Sequence, residues 1–367
     1  MGHKMIGGAL FMDNRIEVPI EILRDFGERA LIAAGVDTEV AKVVTEVQLE
    51  AAIRGQITHN IGDIPRYAER VRSGQINPSP KMSIERESAV HALYDADGAP
   101  GQYAGVVAMR KCIEKSKTQA IATVGVRNSN HYGASGYYAS MAVAHNLIGL
   151  CTTNAGSSMA PWGGAEHRIG NNPLGVAIPT ANSYPVMLDV AMSVVAVGKI
   201  ALSIAQGKGL PAGWMIDAEG RPTTDPDDFS TGSALPIADH KGYGLTMIME
   251  ILSGVLTGSG FGTDHNWRDK PNNSAEPEDL GHFFLTINPA MFMPIEDFKE
   301  RMEALIKQLK SSKLAPGVSQ ITVPGEPEYD ARARNLKHGT VPMLVTTYDG
   351  VKAYIEEQKL GIDIPAS

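Results

Sequence analysis

Two cysteines, Cys112 and Cys151, in a chain of 367 residues exclude a disulfide-stapled fold. Their spacing fits no metal-binding pattern, so the chain reads as one made for a reducing, cytoplasmic compartment. Positive charge is also in short supply. Thirty-three Lys and Arg stand against 41 Asp and Glu, a net charge of −8. Such a chain has no general attraction for nucleic acid or for an anionic membrane surface, and a small molecule is the expected partner. Long uncharged apolar runs are missing too. The most apolar stretch, "VMLDVAMSVVAVGKIALSIA" at 186–205, carries Asp189 and Lys199, which argue against a membrane span. The opening "MGHKMIGGALFMDNRIEVP" has no clear apolar core region and no small-residue cleavage site, so no signal peptide is expected.

Familiar catalytic signatures are absent as well. A dinucleotide site of the Rossmann kind needs G-x-G-x-x-G between a strand and a helix. "GKGLPAG" and "GSGFG" have the wrong spacing and flanks, and no phosphate-binding Walker sequence occurs. There is no H-E-x-x-H, no C-x-x-C and no G-x-S-x-G. "THNIGD" sets His59 and Asp63 four apart, a spacing that could share a helix face. No third ligand accompanies them, so no metal site is expected.

What is present is a mixed pattern. Residues 17–53 show helical spacing, with Pro19 at a first turn, Gly35 closing one helix and Asp37 capping the next. From about residue 83 short apolar runs take over: "AVHALYDAD", "IATVGVRN", "LIGLCTTN", "LGVAIPT", "PVMLDVA" and later "HFFLTIN" read as strands. "YAGVVAMRKCIEKSKTQ" reads as a helix among them. Residues 207–241 are loop-like, with a possible hairpin in "PAGWMIDAEG". "KGYGLTMIMEILSGVLTG" suggests a buried helix, and "PIEDFKERMEALIKQLKSS" an amphipathic one with Phe298, Met302, Leu305 and Leu309 on its apolar face. The strands do not alternate regularly with helices, so a simple parallel doubly wound sheet is not expected. The fold class is α/β.

Two histidines stand out. His131 lies in "RNSNHYGASGYY" and His59 in "THNIGD", both among Gly, Ser and Asn. Histidine titrates near neutrality and suits proton transfer. A lone histidine is more often a surface or satisfied interior residue, and composition alone does not choose between the roles. His240, beside Lys241 and Gly242, is the third of interest.

Several blocks in fixed order carry a resemblance. They are "THNIGDIPRY" with "GQINP", "VRNSNHYGASGYYA", "IGLCTTNAGSSMAPWGG" with "RIGNNPLGVAIP", "LDVAMSVVAVGKI", "LPAGWMIDAEGRPTTDP", "LPIADHKGYGL" and "VPGEPE". Together, over about residues 19–335, the chain resembles the type 2 malate/L-lactate dehydrogenase family. That family includes sulfolactate and ureidoglycolate dehydrogenases, diketogulonate reductases and piperideine-carboxylate reductases. The resemblance implies a non-Rossmann NAD(P)-binding mixed β-sheet domain over 86–329. It also implies a helical domain over 17–85, joined by a C-terminal helix at about 330–360. It further implies a homodimer with its active site near the subunit interface. The implied chemistry is hydride transfer between a nicotinamide and a 2-hydroxy/2-keto or imine carbon. His131 then matches a proton acceptor and His59 a proton donor of different relatives. Asp189 falls where a carboxylate orients an acid/base group, Thr58 and Tyr67 where substrate is lined. Ala155, Ala191, His240, Lys241, Gly325, Glu326 and Pro327 fall at cofactor-contact positions.

The sequence departs from the family at one telling place. The family reads S-H-G-x-x-R, and its arginine is thought to grip the substrate carboxylate. Here Asn60 replaces the glycine and Asp63 the arginine. A unit charge about 4 Å from a carboxylate gains or loses on the order of 4 kcal/mol at an effective dielectric of about 20, so turning attraction into repulsion counts for more than ordinary pocket variation. Three readings follow. The substrate lacks a carboxylate there or offers an amine or hydroxyls to Asp63; or Arg66 or Arg54 replaces the lost arginine; or the chain is a catalytically weak relative that binds a small molecule. The expectation is a reductase whose substrate is neither plain malate nor plain lactate. Residues 174–188 hold no Lys or Arg for a 2′-phosphate, which favours NAD and leaves NADP open.

Overall fold

The structure is a computed structural model and describes residues 15–205, 207, 209–265 and 275–364. The leader reading of residues 1–14 lies outside them. In chain order the strands are β1 (Arg15–Pro19), β2 (Ser83–Glu87), β3 (His91–Asp95), β4 (Ile121–Ser129), β5 (Ile148–Thr153), β6 (Leu174–Ile178), β7 (Val186–Val190), β8 (Met215–Ile216), β9 (Pro222–Thr223), β10 (Ser233–Ala234), β11 (Leu280–Ile287) and β12 (Thr340–Leu344). The α-helices are α1 (Ile20–Ala33), α2 (Thr38–Ile53), α3 (Ile64–Arg72), α4 (Gly101–Ser116), α5 (Ser135–Val143), α6 (Val197–Ala205), α7 (His240–Glu250), α8 (Ile295–Lys310), α9 (Glu326–His338) and α10 (Val345–Glu357).

The central sheet has seven strands in the order β2-β3-β4-β11-β5-β6-β7. β3 and β4 run parallel, joined through α4, and the other neighbours are antiparallel. This is the mixed sheet that the resemblance implies, and not the simple parallel sheet against which the irregular strand spacing argues. The alternation seen in the sequence sets its faces: Ala92 and Tyr94 on β3, and Ala122, Val124 and Val126 on β4, are buried with Phe284 of β11 against α4 and α5. A second apolar cluster joins the two chain ends. Leu23, Phe26, Val40, Val44 and Tyr67 pack with Val341, Tyr348 and Val351, and β1 pairs antiparallel with β12. A third, smaller cluster of Met159, Met192, Ile200 and Trp214 supports the β10-β8-β9 ribbon, where the expected hairpin lies.

Helix ends follow their chemistry. The Asp37 side chain accepts from the Glu39 N–H at 3.0 Å, the cap expected of it. Gly35, at φ +98°, follows the last turn of α1.

Four local expectations need correction. His59 and Asp63 do not share a helix face: His59 sits at φ +59°, outside any helix, and Asp63 ends a short 3-10 turn over Ile61–Asp63. The apolar helix that starts at His240 is not buried all round. It runs through α7 into a π-helical turn, Ile251–Val255, and leaves Leu245, Ile248 and Val255 exposed. On α8 the buried residue is Ile306, while Leu305 and Leu309 are 48% and 52% exposed, because little packs on the far side of that face. The C-terminal region holds two helices, α9 and α10, split by β12.

Candidate active site

Three segments converge on the candidate acid/base groups. The first is the turn from Gln56 to Asp63 with α3 behind it. The second is the loop between β4 and α5, which carries His131. The third is the end of β7, which carries Asp189. The second segment is pressed into place by α4: a Cβ on Gly101 would stand 2.0 Å from the Asn130 carbonyl oxygen and 2.7 Å from that of His131. Only glycine allows that approach. Asn130 ties the same loop down by donating to the carbonyls of Gly98 and Ala99 at 2.9 and 3.0 Å.

His131 and His59 lie ring against ring, with centroids 5.2 Å apart and planes 24° from parallel. The Tyr67 hydroxyl is hydrogen-bonded to His131 Nδ1 at 2.7 Å. The His59 Nδ1 is bonded to the Thr58 hydroxyl at 3.1 Å. Both histidines thus have one ring nitrogen fixed and the other, Nε2, without a hydrogen-bond partner among the described residues. Burial pushes the His131 pKa well below the usual histidine value, helped by the positive charges of Arg66 and Arg70 and by His59. His59 is lowered too. Burial is again the main cause, with Arg66 and Lys199 adding to it and Asp63 and Asp189 opposing. Burial pushes the Tyr67 phenol up to about 12. Both rings are therefore neutral near pH 7, and Tyr67 keeps its proton.

Asp189 accepts from Gln56 Nε2 at 3.2 Å. Its carboxyl is raised by burial, against the pull of the Gly136 N–H, Gln56, His59 and Arg54. Arg66 lies on the Tyr67 ring, 5.4 Å from its centroid, and forms no ion pair among the described residues. Burial works against its charge, but Tyr67, Asp63 and Glu278 outweigh that and raise its pKa. Asp63 forms no ion pair among the described residues either. Arg54 is different. It is buried and donates to Glu50 at 2.8 Å, to Met187 Sδ at 2.9 Å and to Ser140 at 3.1 Å, under the Tyr329 ring. Of the two arginines weighed from the sequence, Arg54 is committed to Glu50, while Arg66 bonds the Tyr67 side chain and has no carboxylate partner among the described residues.

So Thr58, His59, Asp63, Arg66, Tyr67, His131 and Asp189 come together. Gln56, Lys199 and Glu278 join them, and none of the three is singled out as a site residue by the sequence. Lys199 sits in the "VGKI" block at the start of α6, whose Gly198 faces Thr58. Gln56 and Glu278 carry no motif signal.

The positions matched to cofactor contacts fall in two places. His240 and Lys241 begin α7 and are exposed, with the exposed Trp162 ring 6.2 Å from His240. Ala191 leads by way of Met192 to the same end of α7, since the Ile237 N–H donates to the Met192 carbonyl. Ala155 is beside Asn172, which also bonds α7 through Thr246 and Glu250. The turn at Gly325 lies against β7 instead, with the Met187 N–H donating to Pro324 O. There Gly325, at φ +93°, is required by packing, because a Cβ would stand 2.8 Å from that of Met187. Glu326 is tied to Lys310 and to the Val323 N–H, and Pro327 occupies the first turn of α9.

An exposed helix N-terminus with a cation and an aromatic face fits a dinucleotide: N–H groups and Lys241 toward phosphates, Trp162 toward a ring. No helix among the described residues is long and apolar enough to cross a membrane.

The family model described as malate/L-lactate dehydrogenase matches residues 18–352. A malate dehydrogenase of Pyrococcus horikoshii is 38% identical over 336 residues, covering 89% of this chain and 91% of that one. A ureidoglycolate dehydrogenase (NAD(+)) of Escherichia coli O157:H7 is 33% identical, covering 85% and 88%. The crystal structure of malate dehydrogenase from Entamoeba histolytica superposes with a TM-score of 0.89 at 30% identity, over 94% of this chain and 99% of that one. The chain belongs to the malate/L-lactate dehydrogenase family, oxidoreductases that act on 2-hydroxy acids.

Proposed function

We propose that the protein is an NAD-dependent dehydrogenase of a 2-hydroxy/2-keto acid or a related imine, with His131 as its proton-transfer residue. The observation that carries this is the Tyr67–His131 hydrogen bond. It holds one ring nitrogen and leaves Nε2 without a hydrogen-bond partner among the described residues, with the Arg66 guanidinium, itself bonded to Tyr67, close enough to act on the ring's charge.

A bound nicotinamide supplies the hydride acceptor or donor. The protein supplies the proton path and the grip. In oxidation, neutral His131 takes the substrate hydroxyl proton at Nε2. The tautomer that permits this has Nδ1–H donating to the Tyr67 oxygen. The depressed pKa suits a base that must be empty at neutral pH. In reduction the same nitrogen returns the proton to the forming alkoxide. His59, held by Thr58, is the second candidate for that proton. Asp189 with Gln56 orients the floor of the site near His59. Arg66 takes the substrate carboxylate in place of the family arginine. Asp63 repels a second carboxylate and accepts from a hydroxyl or amine on the substrate tail. The preferred substrate is therefore neither plain malate nor plain lactate.

The cofactor is held by the α7 N-terminus with His240 and Lys241, and by the segments at Ala155, Ala191 and Gly325–Pro327. NAD is favoured over NADP because no Lys or Arg occurs in 174–188. The name of the Escherichia coli relative points the same way. The two free cysteines are buried, in keeping with a cytoplasmic protein. The exposed apolar residues Leu245 and Ile248 of α7 and Val255 of the π-helical turn after it support a homodimer closing near the site. On this reading the chain divides into a helical unit (17–85 with about 330–360) and a sheet unit (86–329), with the site at their junction.

The test is a screen of NADH oxidation with pyruvate, oxaloacetate and 2-keto acids carrying a terminal hydroxyl or amine. Turnover favouring the tailed monocarboxylates supports the reading, and oxaloacetate as the best substrate contradicts the role given to Asp63. Binding of NADH without turnover of any of these compounds would favour the alternative, a catalytically weak relative that binds a small molecule.

A further inference from the structure

We propose that Glu278 is the positioning residue that holds His131 in register with Tyr67 and Arg66. This rests on the reading of His131 as the proton-transfer residue. Glu278 lies just ahead of β11, far in sequence from every other group of the site. Its side chain is 17% exposed, and each oxygen has its own partner. Oε1 accepts from Arg70 Nη1 at 2.6 Å, and Oε2 accepts from the backbone N–H of His131 at 2.8 Å. Arg70 is one helical turn beyond Arg66 and three residues beyond Tyr67 on α3. One carboxylate thus ties together the helix that presents Tyr67 and Arg66 and the loop that presents His131.

The neighbouring residues anchor Glu278 on both sides. Gln75, just past the end of α3, donates to the Glu276 carbonyl at 3.0 Å. Asp279 accepts from the Gly260 N–H at 2.9 Å. The 2.7 Å contact between Tyr67 and His131 Nδ1 spans the same gap as the Glu278 bridge. A hydrogen bond formed across two separate elements keeps its length only if their spacing is fixed.

The chemistry of the bridge is specific to a carboxylate. It must accept from a cation on one side and an N–H on the other, and an ionised carboxylate is acceptor on both oxygens. A glutamine has one acceptor oxygen. Its NH2 group would face a donor on whichever side it was placed. An aspartate is one methylene too short to keep both contacts.

The test uses the full-length protein and four variants: Glu278→Gln, Glu278→Ala, Arg70→Met and Tyr67→Phe. Two readouts are taken, steady-state kinetics with NADH and the best 2-keto acid, and NMR of the histidine ring nitrogens without substrate. Glu278→Ala is expected to lower kcat about 10- to 100-fold, the scale of a misplacement of about 1 Å, while NADH affinity changes less than about twofold. Glu278→Gln, which keeps one contact, is expected to fall between. The His131 ring signals of Glu278→Ala should move toward those of Tyr67→Phe. An Arg70→Met, Glu278→Ala double variant should be no slower than Glu278→Ala alone.

If the variants lose stability but keep kcat and the His131 signals of the native protein, the proposal is overturned. Should Glu278→Ala not fold, Glu278→Gln and Arg70→Met carry the same comparison. A native protein that oxidises NADH with none of the keto acids would instead fail the dehydrogenase reading. The NMR arm would still decide the role of Glu278.

Discussion

His131 and His282 are both drawn into the interior, yet they are built for opposite ends. His282 lies on β11, fully buried and stacked on Tyr132 with centroids 4.8 Å apart. Its two ring nitrogens bond Thr153 at 2.7 Å and Ser129 at 2.8 Å. Burial pushes its pKa down to about 3. Every polar atom of that ring is used, and nothing is left for chemistry. His131 has one nitrogen held by Tyr67, the other without a partner among the described residues, and cations nearby. Burial and a depressed pKa are common to both histidines, so they do not mark a reactive one. Under the function proposed above, the unused nitrogen, fixed in place by its opposite one, makes the difference.

Substitution should separate the two sites. The largest effect is expected from His131→Ala, which should lower kcat/KM by about 10²- to 10⁴-fold, the usual contribution of a positioned acid/base group, with NADH binding intact. Fluorescence titration with NADH beside initial rates checks both parts. Next comes Arg66→Met. Loss of one charge-assisted contact of about 1.5–3 kcal/mol should raise KM for the keto acid roughly 10- to 150-fold and leave kcat less changed. Asp63→Asn is expected to be milder and selective. It should improve oxaloacetate relative to pyruvate several-fold, as seen in paired kcat/KM values, because a nearby repulsive charge is gone.

His282→Phe tests the other half of the contrast. It should leave kcat of the folded enzyme close to native while costing about 1–3 kcal/mol of stability, since Thr153 and Ser129 lose their partner. Urea unfolding beside activity measures both. The smallest effect is one of pH. A histidine whose pKa is about 3 when folded and about 6.5 when unfolded binds its proton only on unfolding within that window. His282 therefore contributes stability that is complete above about pH 6.5 and is lost as pH falls toward 3. The stability of the native protein should decline between pH 7 and pH 5 more steeply than that of His282→Phe.

The same contrast shows what could be read from the sequence. Short apolar runs mark β3 to β7 and β11, and of these β3 and β6 bury strictly alternate residues. β2, "SIERE", is exposed along its whole length, so it carries no such signal. The cap at Asp37 was legible because it is local. The turn at His59 is not, because its left-handed backbone, at φ +59°, leaves no mark in residue spacing. His131 and His59 stand out by their Gly, Ser and Asn neighbours, but a role for them, and for Asp189, comes only through the order of several blocks. Glu278 and Gln56 did not stand out at all, since their work is to accept or donate one bond across a fold that joins residues more than a hundred positions apart. Arg54 and Arg66 looked equivalent in sequence, and only the partners around each guanidinium distinguish them.

The measurement that bears most directly on the central claim is a single-turnover oxidation of NADH, followed by nicotinamide absorbance, with native protein and His131→Ala each saturated with NADH and mixed with excess 2-keto acid. The account predicts rapid loss of absorbance for the native protein and a rate at least about 10²-fold slower for the variant. Equal rates for the two proteins would contradict it.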